Sequence, residues 1–196
     1  LGRLKLAARF TLLIFVVAFV GGFVFGQQPE YHLPLEQNFD FTEAAGSFSG
    51  FFNLPTQTGV MSFIFWQNAR VLLGATVLGL FTFGIGGLAI SPTFLLLGYI
   101  FSQILQAGYD PLLLVAALLP HGIIEIPVVF IASAAAVRLG ASITRPPQGM
   151  TVGQGLQQAL GDTIKIGAGV VLPGLIIAAA LEAFLTPLVV VAVMSG

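Results

Sequence analysis

Four ionisable residues lie within or at the edge of strongly apolar segments: Arg70, His121, Glu125 and Glu182. A charge near the centre of a bilayer costs at least ~2.5–3.5 kcal/mol on insertion scales, so such residues pair with one another or act. His121 and Glu125 are i, i+4 and share one helix face, with Cβ atoms roughly 5–6 Å apart. They sit in Pro120-His121-Gly122-Ile123-Ile124-Glu125-Ile126-Pro127, between two helix breakers. The leading interpretation is a structural ion-pair network with Arg70 between the two glutamates. The next is a transport or proton-relay site, since broken helices carrying polar side chains are typical of transporters. A divalent metal held by His121, Glu125 and Glu182 has plausible ligand types. No H-E-x-x-H pattern supports it, and His32 lies in a separate loop, so neither metal nor cofactor is expected.

Other chemistry finds little support. Gly108-Tyr109-Asp110 matches half of an aspartyl intramembrane-protease signature, without the G-x-G-D partner. No G-x-S-x-G elbow, phosphate-binding loop or dinucleotide fingerprint occurs. The chain has no cysteine, which excludes disulfides and thiolate ligands. No basic and aromatic patch suggests nucleic acid. The chain is therefore not expected to be an enzyme.

The elements that must position these residues follow from composition. The 196 residues are 57% hydrophobic and 8% charged, with mean hydropathy +0.99. A soluble domain carries roughly 25% charged residues. Several runs exceed the ~18 apolar residues that mark a spanning helix. The prediction is an all-α integral membrane bundle, one domain over residues 1–196, with about five spans. These cover about 8–26, 69–90, 92–108, 111–139 and 164–190, with an outer loop 27–68 and an inner loop 140–163. Continuous helix over 111–139 would be about 43 Å long, more than the ~30 Å hydrocarbon core. Pro120, Gly122 and Pro127 therefore predict a broken fourth span, either kinked or preceded by a re-entrant piece. The chain opens on Leu1, which suggests a processed or truncated product. Its first segment lacks a cleavage motif before Gln27-Gln28-Pro29 and reads as a retained span.

Charge orients the bundle. Arg3, Lys5 and Arg9 precede the first span, and Arg138, Arg145 and Lys165 flank the inner loop. With five crossings both groups fall on one side, cytoplasmic by the positive-inside rule. The opposite loop carries Glu30, Glu36, Asp40 and Glu43 without Lys or Arg. The N-terminus is thus expected inside and the C-terminus outside. All four intramembrane charges then fall in the outer half.

The outer loop is rich in Phe, and Phe48, Phe51 and Phe52 have the spacing of a short interfacial helix that caps the bundle or docks a partner. Thr151-Val152-Gly153-Gln154 is a capping-box pattern and predicts a second interfacial helix feeding the last span. Gly22-x-x-x-Gly26 and the series Gly74, Gly79, Gly84 supply small residues for close helix approach. They serve packing within the chain or a homodimer face.

Three patches resemble the stage II sporulation protein M family of polytopic membrane proteins. Gln67-Asn68-Ala69-Arg70-Val71 resembles its N-x-R segment, and Pro120 to Pro127 its P-H-G-x-x-E-x-P core. Leu181-Glu182-Ala183-Phe184-Leu185-Thr186-Pro187 resembles its E-x-F-x-T-P ending. The resemblance implies a five-span fold with Asn68, Arg70, His121, Glu125 and Glu182 as shared-core positions. It also implies a non-enzymatic scaffold. Sporulating relatives act as membrane anchors in engulfment and assemble with peptidoglycan-degrading partners, while other relatives occur in organisms that do not sporulate. The expected partners are the lipid bilayer and other membrane or envelope proteins. The alternative is a small transporter or channel built on Arg70, His121, Glu125 and Glu182.

Overall fold

The computed structural model describes residues 2–31 and 56–194, and the expected helix around Phe48, Phe51 and Phe52 lies outside them. The described residues form helices and no strand. Their order is α1 (Gly2–Gly26), α2 (Gln57–Phe81), α3 (Ser91–Gln106), α4 (Pro111–Thr144), α5 (Val152–Ile166), α6 (Leu172–Ala180) and α7 (Thr186–Met194). Five runs are long and apolar enough to cross a membrane: Lys5–Gly26, Gln57–Phe81, Ile85–Gln106, Pro111–Thr144 and Val152–Val193. The fold is an all-α multi-pass bundle, as the composition requires.

The second helix differs from its predicted bounds at both ends. It starts at Gln57, where Thr56 is extended and its Oγ1 accepts the Gly59 amide at 3.1 Å. Gln67, Asn68 and Arg70 dilute the hydropathy of this stretch, so it reads as loop by composition. The helix stops at Phe81. Thr82 Oγ1 donates to the Leu78 carbonyl and accepts the Gly86 amide, both at 2.6 Å. Phe83 and Gly84 then turn left-handed, with φ of 54° and 105°, and reverse the chain. A Cβ at Gly84 would also stand 2.6 Å from the Val137 carbonyl oxygen.

Of the two forms expected for the fourth span, the re-entrant piece is absent and a single span carries both prolines. α4 runs unbroken through Pro120 and Pro127. Each proline removes one i→i−4 bond. Lipid offers the backbone no other partners, so keeping the flanking bonds is cheaper than unwinding. Gly122 is buried helix rather than a turn.

The irregularity lies instead in the last run. Two π-helical turns, Gly167–Val171 and Leu181–Leu185, interrupt it. Each ends two residues before a proline, Pro173 and Pro187. A proline ring clashes with the carbonyl four residues earlier, and a widened turn upstream makes room. The capping box at the start of this run is present: Thr151 Oγ1 accepts the Gln154 amide at 3.3 Å, and Gln154 Oε1 accepts the Thr151 amide at 3.0 Å. α5 then continues directly into the span. With α4 reaching Thr144, the predicted inner loop shrinks to residues 145–151.

α4 is the central helix and packs against α1, α2, α5, α6 and α7, while α1 packs chiefly against α3. The core joins Phe15, Leu72, Ala75, Ile90, Val128, Ala132, Val171 and Leu175. Small residues set the close approaches. A Cβ on Gly22 would fall 1.8 Å from the Leu95 oxygen, and one on Gly79 would fall 3.0 Å from the Ala136 oxygen. Gly26 abuts Ser102. Gly74 is the exception among the predicted packing glycines: it is exposed, with nothing within 4 Å of its missing Cβ.

Candidate functional site

α2, α4 and the last run converge around His121, Glu125 and Glu182. One ring nitrogen of His121 and one carboxylate oxygen of each glutamate lie within 4.8 Å of one another, and all three side chains are half-buried. The i, i+4 spacing on α4 presents His121 and Glu125 together. The π-turn Leu181–Leu185 presents Glu182 from the last run. Asn68 closes the group from α2, its Nδ2 donating to Glu125 Oε1 at 2.9 Å.

Arg70 does not join them. Its Nε donates to the Trp66 carbonyl at 3.2 Å and its guanidinium to Gln67 Oε1 at 2.9 Å, on an exposed face. The reason is angular: residues two apart on a helix do not share a face, so α2 cannot aim both Asn68 and Arg70 inward. The expected arrangement with Arg70 between the glutamates is therefore corrected. Among the described residues neither glutamate has a lysine or arginine partner. The ion pair Arg138–Asp162, at 2.6 Å, joins α4 to α5 elsewhere.

Thr186 joins the site although its residue type and spacing alone do not mark it. Its Oγ1 lies 3.3 Å from His121 Nδ1 and also 3.3 Å from the Leu181 carbonyl. That carbonyl can only accept, so the hydroxyl proton goes to it, and the hydroxyl oxygen accepts from Nδ1–H. With the ring neutral, this hydrogen-bond assignment leaves the lone pair on Nε2. The signal for Thr186 is its place in the Glu182-to-Pro187 string. His32 lies outside the described residues.

A cavity of about 420 Å³ opens beside the group, lined by Gln67, Asn68, His121 and Glu125 among apolar residues such as Leu97 and Ile100. A second cavity, of about 520 Å³, brings Ala7 and Phe10 of α1 beside Arg138 and Arg145. This gathers the basic N-terminal segment and the α4–α5 connection at one end. At the other end Gln103 and Gln106 each donate to the last α1 carbonyl, Gly26, at 2.8 Å.

No curated protein and no solved structure matches the chain. The family model described as stage II sporulation protein M matches residues 11–187, which takes in α2 through the start of α7 and every residue of the polar group. With its five apolar runs, the chain belongs to the stage II sporulation protein M family of multi-pass membrane proteins.

Proposed function

We propose that the protein is a non-enzymatic membrane scaffold that anchors envelope-associated, cell-wall-remodelling partners. Family membership supports the reading, and the outward face of α2 carries it. Arg70 stands near the middle of a 25-residue helix, exposed and unused by the internal polar group. Trp66, 61% exposed, and Gln67 share its face. An arginine facing hydrocarbon costs at least ~2.5–3.5 kcal/mol, and a neighbouring transmembrane helix bearing a carboxylate would offset that cost. The gathering of basic residues at one end supports an N-terminus inside and a C-terminus outside.

The test is a photo-reactive residue at Trp66 in native membranes. The expected product is an adduct with a transmembrane envelope protein, lost in Arg70→Gln. An adduct with lipid alone makes Arg70 a snorkelling anchor and overturns the reading. An adduct with a second copy replaces it by a homodimer.

One observation favours a second reading, transport. The cavity reaches His121 and Glu125 at the polar group. Ion or proton flux into liposomes that Glu125→Gln abolishes would establish it, and the cluster involved would lack Arg70.

A further inference from the structure

We infer that His121, Glu125 and Glu182 form a binding site for a divalent transition-metal ion, fastening α4 to the last run. The inference is independent of the scaffold reading. Imidazole nitrogen and carboxylate oxygen are the donors such ions take, and three protein ligands with one position left open is a recurrent arrangement. The three donor atoms already lie within 4.8 Å of one another. Tetrahedral ligands bound at about 2.0–2.2 Å stand roughly 3.4 Å apart, so the group closes with a contraction of at most about 1.4 Å.

Three features besides the cluster point to a cation. The first is charge. Two carboxylates face each other without a lysine or arginine, among the described residues, inside an apolar bundle. One divalent ion brings that pair to neutrality with His121 uncharged, which is the form a low-dielectric site accepts. The second is the shell around the ligands. Metal-bound histidines usually donate their other ring N–H to a fixed acceptor, and ligating carboxylates are themselves hydrogen-bonded. Thr186 Oγ1 stands 3.3 Å from His121 Nδ1 and steadies the ring, while Asn68 holds Glu125. The third is space: the cavity of about 420 Å³ lined by His121 and Glu125 leaves room for an ion and its open coordination position beside them.

The experiment loads the full chain in detergent, after chelation, with Zn²⁺, and counts bound ion by elemental analysis. Co²⁺ serves as a visible reporter of N/O coordination. The expected result is one ion per chain, with Zn²⁺ displacing the Co²⁺ spectrum. His32→Gln retains it. Glu182→Gln, which keeps shape and one oxygen, retains the ion at least about tenfold more weakly. Thr186→Val, which touches no ion directly, weakens it by about 10–100-fold and shifts the Co²⁺ spectrum. Monodisperse elution and unchanged helical dichroism qualify each variant. Should Glu182→Gln misfold, Thr186→Val and wild type decide alone. Absence of stoichiometric ion in folded wild type overturns the inference and leaves protons as the neutralising species. Undiminished binding in a folded Glu182→Gln or Thr186→Val chain overturns it equally.

Discussion

Asn68 Nδ2 donates to Glu125 Oε1 at 2.9 Å and so joins α2 to α4 across 57 positions of sequence. The carboxylate is half-buried and has no cationic partner among the described residues, so this amide is a principal source of its satisfaction. Asn68→Leu removes the donor while keeping the volume. Leaving a buried acceptor unsatisfied costs about 1–3 kcal/mol, more when it is charged. The expected outcome is a lower thermal midpoint in detergent. Adding Glu125→Gln to Asn68→Leu should recover part of the loss. Full additivity of the two losses would show that the bond contributes nothing.

The position of Arg70 yields a contrast between two double-mutant cycles. Arg70 bonds Gln67 and Trp66 and shares no partner with Glu182. Glu182→Gln and Arg70→Gln should therefore add to within about 0.3–0.5 kcal/mol. Glu125 and Glu182 offer oxygens within 4.8 Å of each other, so Glu125→Gln and Glu182→Gln should couple by about 0.5–3 kcal/mol. Chemical or thermal unfolding in mild detergent reads both cycles. A coupled Arg70–Glu182 pair would restore the ion-pair network that the sequence suggests.

How much of this was legible beforehand divides by the physical signal involved. Span number and helical class follow from hydropathy alone, which lipid enforces on every exposed residue. His121 and Glu125 share a face because i, i+4 spacing is local geometry. Hydropathy starts the second span near residue 69 and makes Arg70 its first charge, whereas Thr56 caps a helix that already carries Phe63 to Asn68. With that register fixed, Asn68 and Arg70 cannot both point inward. The prolines misled in a related way. Pro120 and Pro127 look like breakers, yet α4 absorbs them, while Pro173 and Pro187 produce the π-turns. Nothing in the linear string separates the two pairs of prolines. Thr186 is unmarked in the sequence for a similar reason: its partner His121 lies 65 positions away.

Glycines separate close packing from mere composition. A Cβ on Gly98 would lie 2.0 Å from the Phe19 carbonyl oxygen, a backbone atom that α1 cannot move without shifting as a helix. Gly98→Ala should therefore cost about 1–3 kcal/mol or more by overpacking. Gly74→Ala meets nothing within 4 Å and should gain about 0.5–1 kcal/mol from the lower backbone entropy of alanine. Thermal midpoints of the two variants should move in opposite directions from wild type. Equal losses would mean that the face bearing Gly74 is itself occupied, as a homodimer contact would require.

The contact of α4 with α6 allows a covalent test. A Cβ built on Gly174 stands 3.6 Å from the Val128 Cβ, and both positions are buried. Disulfides need Cβ atoms about 3.5–4.5 Å apart. The crowding at Gly174 comes from Val128 Cγ2, at 2.4 Å, which a cysteine at 128 removes. The chain has no cysteine of its own, so background pairing is absent. Val128→Cys with Gly174→Cys should oxidise to an intramolecular disulfide, seen as faster migration on a non-reducing gel and reversed by reductant. Pairing Val128→Cys instead with Ile177→Cys, whose side chain is 50% exposed, should give no such band. A disulfide in the second pair and none in the first would place the last run in a different rotation about its axis. That rotation would carry Glu182 away from His121 and Glu125.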